Sequence, residues 1–271
     1  MPEQPLVSVL MTAYNREKYI APAIESVLAS TYTNIELIVV DDVSKDHTVE
    51  IARRYSQKDK RVKVYVNEKN LGDYPNRNMA AGYARGKYIK YLDADDMMYD
   101  YGLEVMVRFT EQFPEAGFGL ASYPDDDRPF PYLLTPHEIY FESFTKTNHF
   151  DRAPGSGLIK REAFNTVGGF SGKRMVGDYE FWFKIARYYS MVKFPQDLYW
   201  NRLHEDQESQ TEFARKNYVT LRKEVLEDAL AHPECPLTAE DKLIIGPRLK
   251  KLQRKDKLLR YLSKANKLIK F

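Results

Sequence analysis

Apolar and polar positions follow a repeating order over the first hundred residues. Val7-Ser8-Val9-Leu10-Met11 has the pattern of a short buried strand, and Thr12-Ala13-Tyr14-Asn15-Arg16 follows as a loop. Ile20, Ile24, Val27 and Leu28 then share one face of a helix from about Tyr19 to Ser30, where Pro22 fits only the first turn. Ile35 to Val40 is a second strand, closed by Asp41-Asp42-Val43-Ser44. A second helix starts near Thr48 and carries Val49, Ala52 and Tyr55. Val62 to Val66 is the third strand, Asn70–Pro75 a turn-rich loop, and a short helix covers about Asn76 to Ala84. Tyr88-Ile89-Lys90-Tyr91-Leu92 alternates as a fourth strand, with Ile89 and Tyr91 opposite Tyr88, Lys90 and Leu92.

These strands end near Met11, Val40, Val66 and Leu92, a spacing of about 26–29 residues. Strand-helix units of that length imply βαβ crossovers and a mainly parallel sheet. Beyond Asp96 the pattern predicts a helix over Gly102–Phe113 and a strand over Gly117–Tyr123. An irregular stretch over 124–157 holds Asp125-Asp126-Asp127, several prolines and aromatics. Long irregular segments of compact domains often form binding loops. A short helix at Arg161–Thr166, a helix from Asp178 to Tyr189, short strands at Met191–Phe194 and Leu198–Trp200, and helical pattern from Thr211 onward complete the chain.

In parallel sheets of this kind ligands bind beyond the carboxyl ends of the strands. Four polar loops fall at that edge: Thr12–Arg16, Asp41–Ser44, Asn70–Arg77 and Asp93–Asp96. The last brings three carboxylates within four residues, which repel one another unless a cation or water compensates. Asp93 and Asp95, separated only by Ala94, can both turn oxygens towards one hard cation, and Mg²⁺ and Mn²⁺ favour such ligands. A solvated acidic turn is the plainer account of an isolated D-x-D. One site shared by four loops accounts for all of them together.

Composition narrows the classes. With 271 residues and no low-complexity linker, one large domain or a domain with a helical appendage is expected. The 20 tyrosines suit stacking on bases and sugars as well as core packing. A single cysteine, Cys235, excludes an intrachain disulfide and a cysteine-rich metal site and fits a reducing cytoplasm. Met1–Pro5 lacks a signal peptide's basic start and apolar stretch, and no apolar run nears the ~18 residues a bilayer span needs. The net charge of +2 hides an asymmetry: Lys242–Phe271 holds eleven Lys/Arg and one acid, Asp256, so the remaining body carries −8.

Read together, the motifs resemble a family 2 glycosyltransferase with the GT-A fold over roughly residues 6 to 210. They run Val7–Asn15, Val40-Asp41-Asp42-Val43-Ser44, Asn70-Leu71-Gly72 with Arg77-Asn78, Leu92-Asp93-Ala94-Asp95-Asp96, Gly168-Gly169-Phe170, Gly177-Asp178-Tyr179-Glu180-Phe181-Trp182, and Arg202-Leu203-His204 with Gln207 and Ser209. Two positions depart from the family's pattern. Val43 stands where a glycine is usual, and Gly177 precedes Asp178 where a glutamate is usual. The resemblance implies an α/β, GT-A type fold: a Rossmann-like, mainly parallel central sheet with helices on both faces, plus a C-terminal helical extension. It places a nucleotide-binding half over about 1–100, an acceptor-binding half over 101–210 and the basic extension over 211–271.

It also implies sugar transfer from a nucleotide-diphosphate donor to an acceptor hydroxyl, inverting the anomeric centre, with Mg²⁺ or Mn²⁺ as cofactor. On that resemblance Tyr14 covers a face of the base, with Thr12, Ala13 and Asn15 beside it, and Asp42 accepts a ring N–H. The plainer role for Asp41 and Asp42 is to cap the turn. Asn70, Gly72, Arg77 and Ala94 complete the nucleotide-sugar contacts, although Arg77 could instead pair with Asp93. Asp95 holds the metal, Asp93 bonds ribose or a metal-bound water, and His204 supplies a further ligand or a phosphate contact. Asp178 is the general base, against a plainer role as helix N-cap and with Glu180 as competitor.

The basic end would suit an anionic membrane surface, hence a cytoplasmic enzyme peripheral on the inner face that acts on a carbohydrate or lipid-linked saccharide acceptor. A helix packed on the body is the alternative. Nucleic-acid binding is not expected: the rest of the chain is acidic and base-reading motifs are missing. Competing functions are a sugar nucleotidyltransferase and a catalytically silent nucleotide-sugar-binding module. Neither a dinucleotide fingerprint nor a P-loop is present.

Overall fold

A computed structural model describes residues 4–123, 128–204, 207 and 211–247. Strands β1 (Val7–Ala13), β2 (Ile35–Asp41), β3 (Val62–Val66) and β4 (Tyr88–Tyr91) alternate with helices α1 (Ile20–Leu28), α2 (Thr48–Lys58) and α3 (Asp73–Gly82). β1 lies between β2 and β4, parallel to both, with Leu10 opposite Ile38 on one side and Tyr91 on the other. After β1 the chain runs outward through β2 to β3, then returns to place β4 on the other side of β1. That reversal opens a crevice at the carboxyl ends of β1 and β4.

The sheet continues into the second half. β5 (Met97–Met98), α4 (Gly102–Thr110), β6 (Ala116–Ala121), β7 (Tyr132–Leu134), α5 (Pro136–Thr145), β8 (Gly157–Lys160), α6 (Arg161–Thr166), α7 (Gly177–Ala186), β9 (Ser190–Phe194), β10 (Tyr199–Trp200) and α8 (Glu212–Ala231) follow in chain order. The eight-stranded sheet runs β3-β2-β1-β4-β8-β6-β9-β7, with β8 and β7 antiparallel to the others. The nucleotide and acceptor halves read from the sequence therefore share one sheet.

The sheet is buried on both faces, which explains the near-continuous apolar runs of its strands. Val7, Val9 and Met11 point to one core with Ile20, Ile24 and Val27 of α1 and Leu103 and Met106 of α4. Leu10, Ile89 and Tyr91 point to the other with Phe164, Phe181 and Trp182. Each such fully buried side chain contributes about 1.5–3 kcal/mol by leaving water. Val225 and Ala229 of α8, with Leu237 and Ile245, belong to this second core. The described part of the C-terminal extension thus packs on the body, while 248–271, most of the basic stretch, lies outside the described residues, as do Asp125-Asp126-Asp127 and Ser209. Among the described residues no helix is long and apolar enough to cross a membrane.

Three sequence expectations shift. α3 begins at Asp73, before the expected Asn76, because Pro75 sits in its first turn, where no backbone donor is required of it. The expected irregular stretch contains α5, nucleated by a capping box in which Thr135 and Glu138 satisfy each other's backbone N–H. α7 starts at Gly177 with Val176 as N-cap, so Asp178 lies inside the first turn and is not the cap.

A polar tie closes the opposite edge of the sheet. The Glu36 carboxylate, only 3% exposed, accepts from Ser8 Oγ at 2.7 Å, from Arg85 N at 2.8 Å and from the Arg85 guanidinium at 2.8 and 3.0 Å. Burial works to raise its pKa, but these hydrogen bonds outweigh it and hold the carboxyl below its ordinary value. The tie fixes the starts of β1, β2 and β4, so their ends arrive together.

Candidate active site

The four loops converge on one cleft of about 660 Å³ at the carboxyl edge of the sheet. β1 contributes Thr12, Ala13 and Tyr14; the loop after β2, Asp42. Asn70 and Gly72 lead into α3, which brings Arg77, and β4 delivers Asp93, Ala94 and Asp95. Asn15, Asp178 and His204 do not line this cleft. Tyr14 is 45% exposed, which leaves its ring free to meet a flat ligand. Asn15 is a loop tie, donating through its N–H to Ser44 Oγ at 2.8 Å and accepting from Lys45 N at 2.8 Å.

The two aspartates after β2 divide their work. Asp41 caps the turn, accepting from Ser44 N at 2.8 Å and from the Ser44 hydroxyl. Asp42 reaches across to the third loop: Oδ1 accepts from Asn67 Nδ2 and Leu71 N, Oδ2 from Gly72 N, each at 2.8 Å. A carboxylate has about four acceptor positions, so among the described residues Asp42 keeps one, on Oδ2. Asn70 Nδ2 donates to the Asp42 carbonyl at 2.9 Å, and Gly72 takes φ 83°, open to a residue without Cβ.

Val43, directly after these aspartates, takes φ 67°. A β-branched side chain is strained there, which gives a physical reason for the glycine usual in related sequences. Val43→Gly is expected to stabilise the fold by about 1 kcal/mol, the relieved strain exceeding glycine's added chain entropy. The check is the midpoint of chemical denaturation.

At the end of β4 the carboxylate oxygens of Asp93, Asp95 and Asp96 lie within 4.8 Å of one another. Asp96 turns away from the cleft and accepts from Asn201 Nδ2 at 3.1 Å and Arg202 N at 3.0 Å. Burial, then the charge of Asp93, raises its pKa to about 7. It anchors the segment after β10, which pairs antiparallel with β5 and brings His204 over the acids. Asp95 Oδ2 accepts from Arg16 Nε at 2.8 Å and contacts His204 Nε2 at 3.0 Å. The imidazole stacks on Tyr19, with ring centroids 4.8 Å apart. Asp93 Oδ1 lies 2.7 Å from Arg77 Nη1 as an ion contact off the hydrogen-bond axis, and Arg77 Nε also bonds Asp73 Oδ1 at 2.7 Å. Two carboxylates facing the cleft, with an imidazole nitrogen beside them, are a donor set suited to a hard divalent cation.

Asp178 accepts from the Tyr74 hydroxyl at 3.2 Å and from Tyr179 N at 2.7 Å. Burial raises its pKa to about 6, against the lowering pull of the Tyr179 N–H and Arg77. Glu180 is engaged elsewhere, with the Ser171 hydroxyl and Lys173 Nζ, the latter at 2.9 Å. Sequence reasoning assigned no chemistry to Arg16, Asp73, Arg174 or Asn201, all of which line the cleft. Arg16 directly follows the recognised loop, so its position was visible but its partner, Asp95, was not. Arg174 precedes α7 and lies over the Phe213 ring at 4.5 Å.

The fold is a mixed α/β architecture of the GT-A glycosyltransferase kind. A model of "Glycosyl transferase family 2" matches residues 8–168, and the chain belongs to that family; it is a glycosyltransferase. It is 30% identical over 223 residues to an uncharacterised glycosyltransferase of Haemophilus influenzae, covering 76% of this chain and 68% of that one. It is 39% identical over 148 residues to the putative teichuronic acid biosynthesis glycosyltransferase TuaG of Bacillus subtilis, covering 53% of this chain and 58% of the relative. A mannosyltransferase of Pyrobaculum calidifontis, solved with GDP-Man and Mn²⁺, superposes with a TM-score of 0.64 at 17% identity, over 95% of this chain and 81% of that one. That likeness shows the fold.

Proposed function

We propose that the chain transfers a glycosyl group from a nucleotide-diphosphate sugar to an acceptor hydroxyl with inversion at the anomeric carbon. The observation that carries this reading is the convergence of four loops, with Asp93 and Asp95 at its floor, on one cleft at the sheet's switch point. Tyr14 covers the base, the last acceptor position of Asp42 takes a ring N–H, and Thr12, Ala13, Asn70 and Gly72 shape the pocket around it. Asn15 holds that first loop in place. Arg77, held by Asp73 and Asp93, presents positive charge to the sugar-diphosphate. Asp95 and His204 would hold Mg²⁺ or Mn²⁺ with Asp93 beside them; the ion's chemistry there is to offset charge on the departing diphosphate.

Asp178 acts as general base. As the acceptor oxygen attacks the anomeric carbon, its proton passes to the Asp178 carboxylate. The bond from that carbon to the diphosphate oxygen breaks, and its electron pair leaves with the nucleoside diphosphate. No covalent intermediate is required. The name of the TuaG relative supports polysaccharide assembly as the setting, with a saccharide or lipid-linked saccharide as acceptor. In this reading residues 1–210 form the catalytic unit. The basic stretch that continues from residue 248 carries peripheral contact with the inner face of the membrane.

Calorimetric titration with UDP, GDP, dTDP and CDP, each with and without Mn²⁺, tests the site. One diphosphate is expected to bind in a Mn²⁺-dependent way and so to identify the donor's base. Binding of none, in either condition, would remove the nucleotide-sugar reading. Release of pyrophosphate instead of nucleoside diphosphate during turnover would mark nucleotidyl transfer.

A further inference from the structure

Arg16 is paired with Asp95 at the cleft floor, yet nothing in the reaction as described uses it. Its Nε donates to Asp95 Oδ2 at 2.8 Å, and the same oxygen meets His204 Nε2 at 3.0 Å. Both acceptor positions of Oδ2 are therefore taken. Among the described residues Oδ1 receives no hydrogen bond. The other end of the guanidinium points the opposite way: Nη1 donates to the carbonyls of Tyr14 and Asn15, each at 3.1 Å. One side chain thus spans the base-covering loop and the carboxylate assigned to the cation. The Arg16 backbone is pinned separately, its N–H donating to Thr48 Oγ1 at 2.7 Å, so the loop does not depend on the guanidinium alone.

We infer that Arg16 is a positioning residue that competes with a divalent cation for Asp95 and links that competition to the diphosphate of the donor. The inference rests on the proposed transfer reaction and deepens it. A guanidinium keeps its charge at all working pH values. A cation binding at Asp95 must therefore either displace Arg16 from Oδ2 or sit beside a fixed positive charge. A diphosphate supplies the released guanidinium with new oxygen partners in the same cleft, and planar guanidinium groups match phosphate oxygens well. Cation and diphosphate consequently favour each other's binding, by the same factor in both directions. Arg16 is partly solvent-exposed (24% for its side chain, against 11% for Asp95), so release does not require opening the core.

An arginine serving only the loop's stability gives a different result on removal. Losing it would weaken all ligands together or leave the metal's affinity unchanged. Competition predicts opposite signs for the two ligands.

The experiment measures Mn²⁺ binding by electron paramagnetic resonance of the free ion, with and without inorganic pyrophosphate, on the full chain and its Arg16→Gln and Arg16→Lys variants. Thermal melts accompany each variant. Arg16→Gln is expected to bind Mn²⁺ alone about tenfold more tightly than the parent, and to lose most of the enhancement that pyrophosphate gives the parent. Arg16→Lys keeps the charge and should stay within about threefold of the parent for Mn²⁺ alone. Unchanged or weaker Mn²⁺ binding in folded Arg16→Gln overturns the inference and leaves the transfer reaction standing. Should Arg16→Gln not fold, Arg16→Lys decides: an intact pyrophosphate enhancement with a changed affinity for Mn²⁺ alone overturns the competition, and a parent-like affinity with a reduced enhancement supports it. A parent chain that binds no Mn²⁺, with or without pyrophosphate, overturns both the inference and the metal's part in the proposed reaction.

Discussion

Asp178→Asn is expected to lower turnover by about 10²–10⁴, measured as nucleoside-diphosphate release from the donor that titration identifies. The amide keeps the shape of the carboxyl and its place beside Tyr74, but it cannot accept a proton. Nucleotide binding should stay near the parent's, because the proposed diphosphate site lies with Asp93, Asp95 and Arg77. A catalytically silent binding module would show no such loss. The pH profile sharpens the test. Desolvation holds the Asp178 pKa at about 6, above the ordinary value of 3.8. The free enzyme's base is therefore protonated below that pH, and kcat/KM should fall tenfold per unit below about pH 6 and level off above it.

The linkage to stability has the opposite sign from that of a salt-bridged acid. A raised folded pKa favours the protonated fold, so this group's contribution is fully present below the unfolded pKa near 3.8 and is lost as pH rises through about 6. Asparagine, uncharged throughout, should therefore stabilise the protein at pH 7 by about 3 kcal/mol while removing activity. A variant that is inactive because it is unfolded would show the reverse in a denaturation experiment, which separates the two explanations.

Asp95→Ala is expected to lower turnover by about 10²–10³ and to abolish the metal dependence of nucleotide binding. Three groups converge on Asp95: Arg16 and His204 on its carboxylate, and Arg202 of the segment after β10, whose Nε donates to its backbone carbonyl at 2.9 Å. Only the first two lose a partner in the variant: Arg16, which lines the cleft, and His204 beside it. The fold should survive, as a thermal melt would report. Full metal-dependent turnover by Asp95→Ala would show that the acidic pair is an acidic turn and nothing more.

How much of this was legible in the chain varies with the range of the interaction. Apolar periodicity placed β1 to β4 within two residues, β1 running on through Thr12 and Ala13, because β1, β2 and β4 bury both faces. The positions of Asp42, Arg77, Asp93 and Asp95 at the carboxyl edge follow from the parallel order alone. α5 was hidden in an aromatic, proline-rich stretch, although Thr135-Pro136-His137-Glu138 carries the capping pattern that starts it. Asp178 was expected as a helix cap or a base. The structure shows it two positions past the cap, half-buried behind Tyr74, where desolvation sets its pKa.

The sequence by itself determined the parallel sheet, the edge at which ligands meet it, and the acidic pair that a cation would need. Those rest on local alternation and on strand-helix length, which act between neighbours in the chain. Only the tertiary structure decided which charges oppose which. Arg16 meets Asp95 across 79 residues, and Asp42 holds the Leu71-Gly72 backbone across about thirty. His204 returns over the acids only because Asp96 pins the segment beyond β10. Such pairings depend on distances in space that no local pattern encodes, and they are what turns four polar loops into one site.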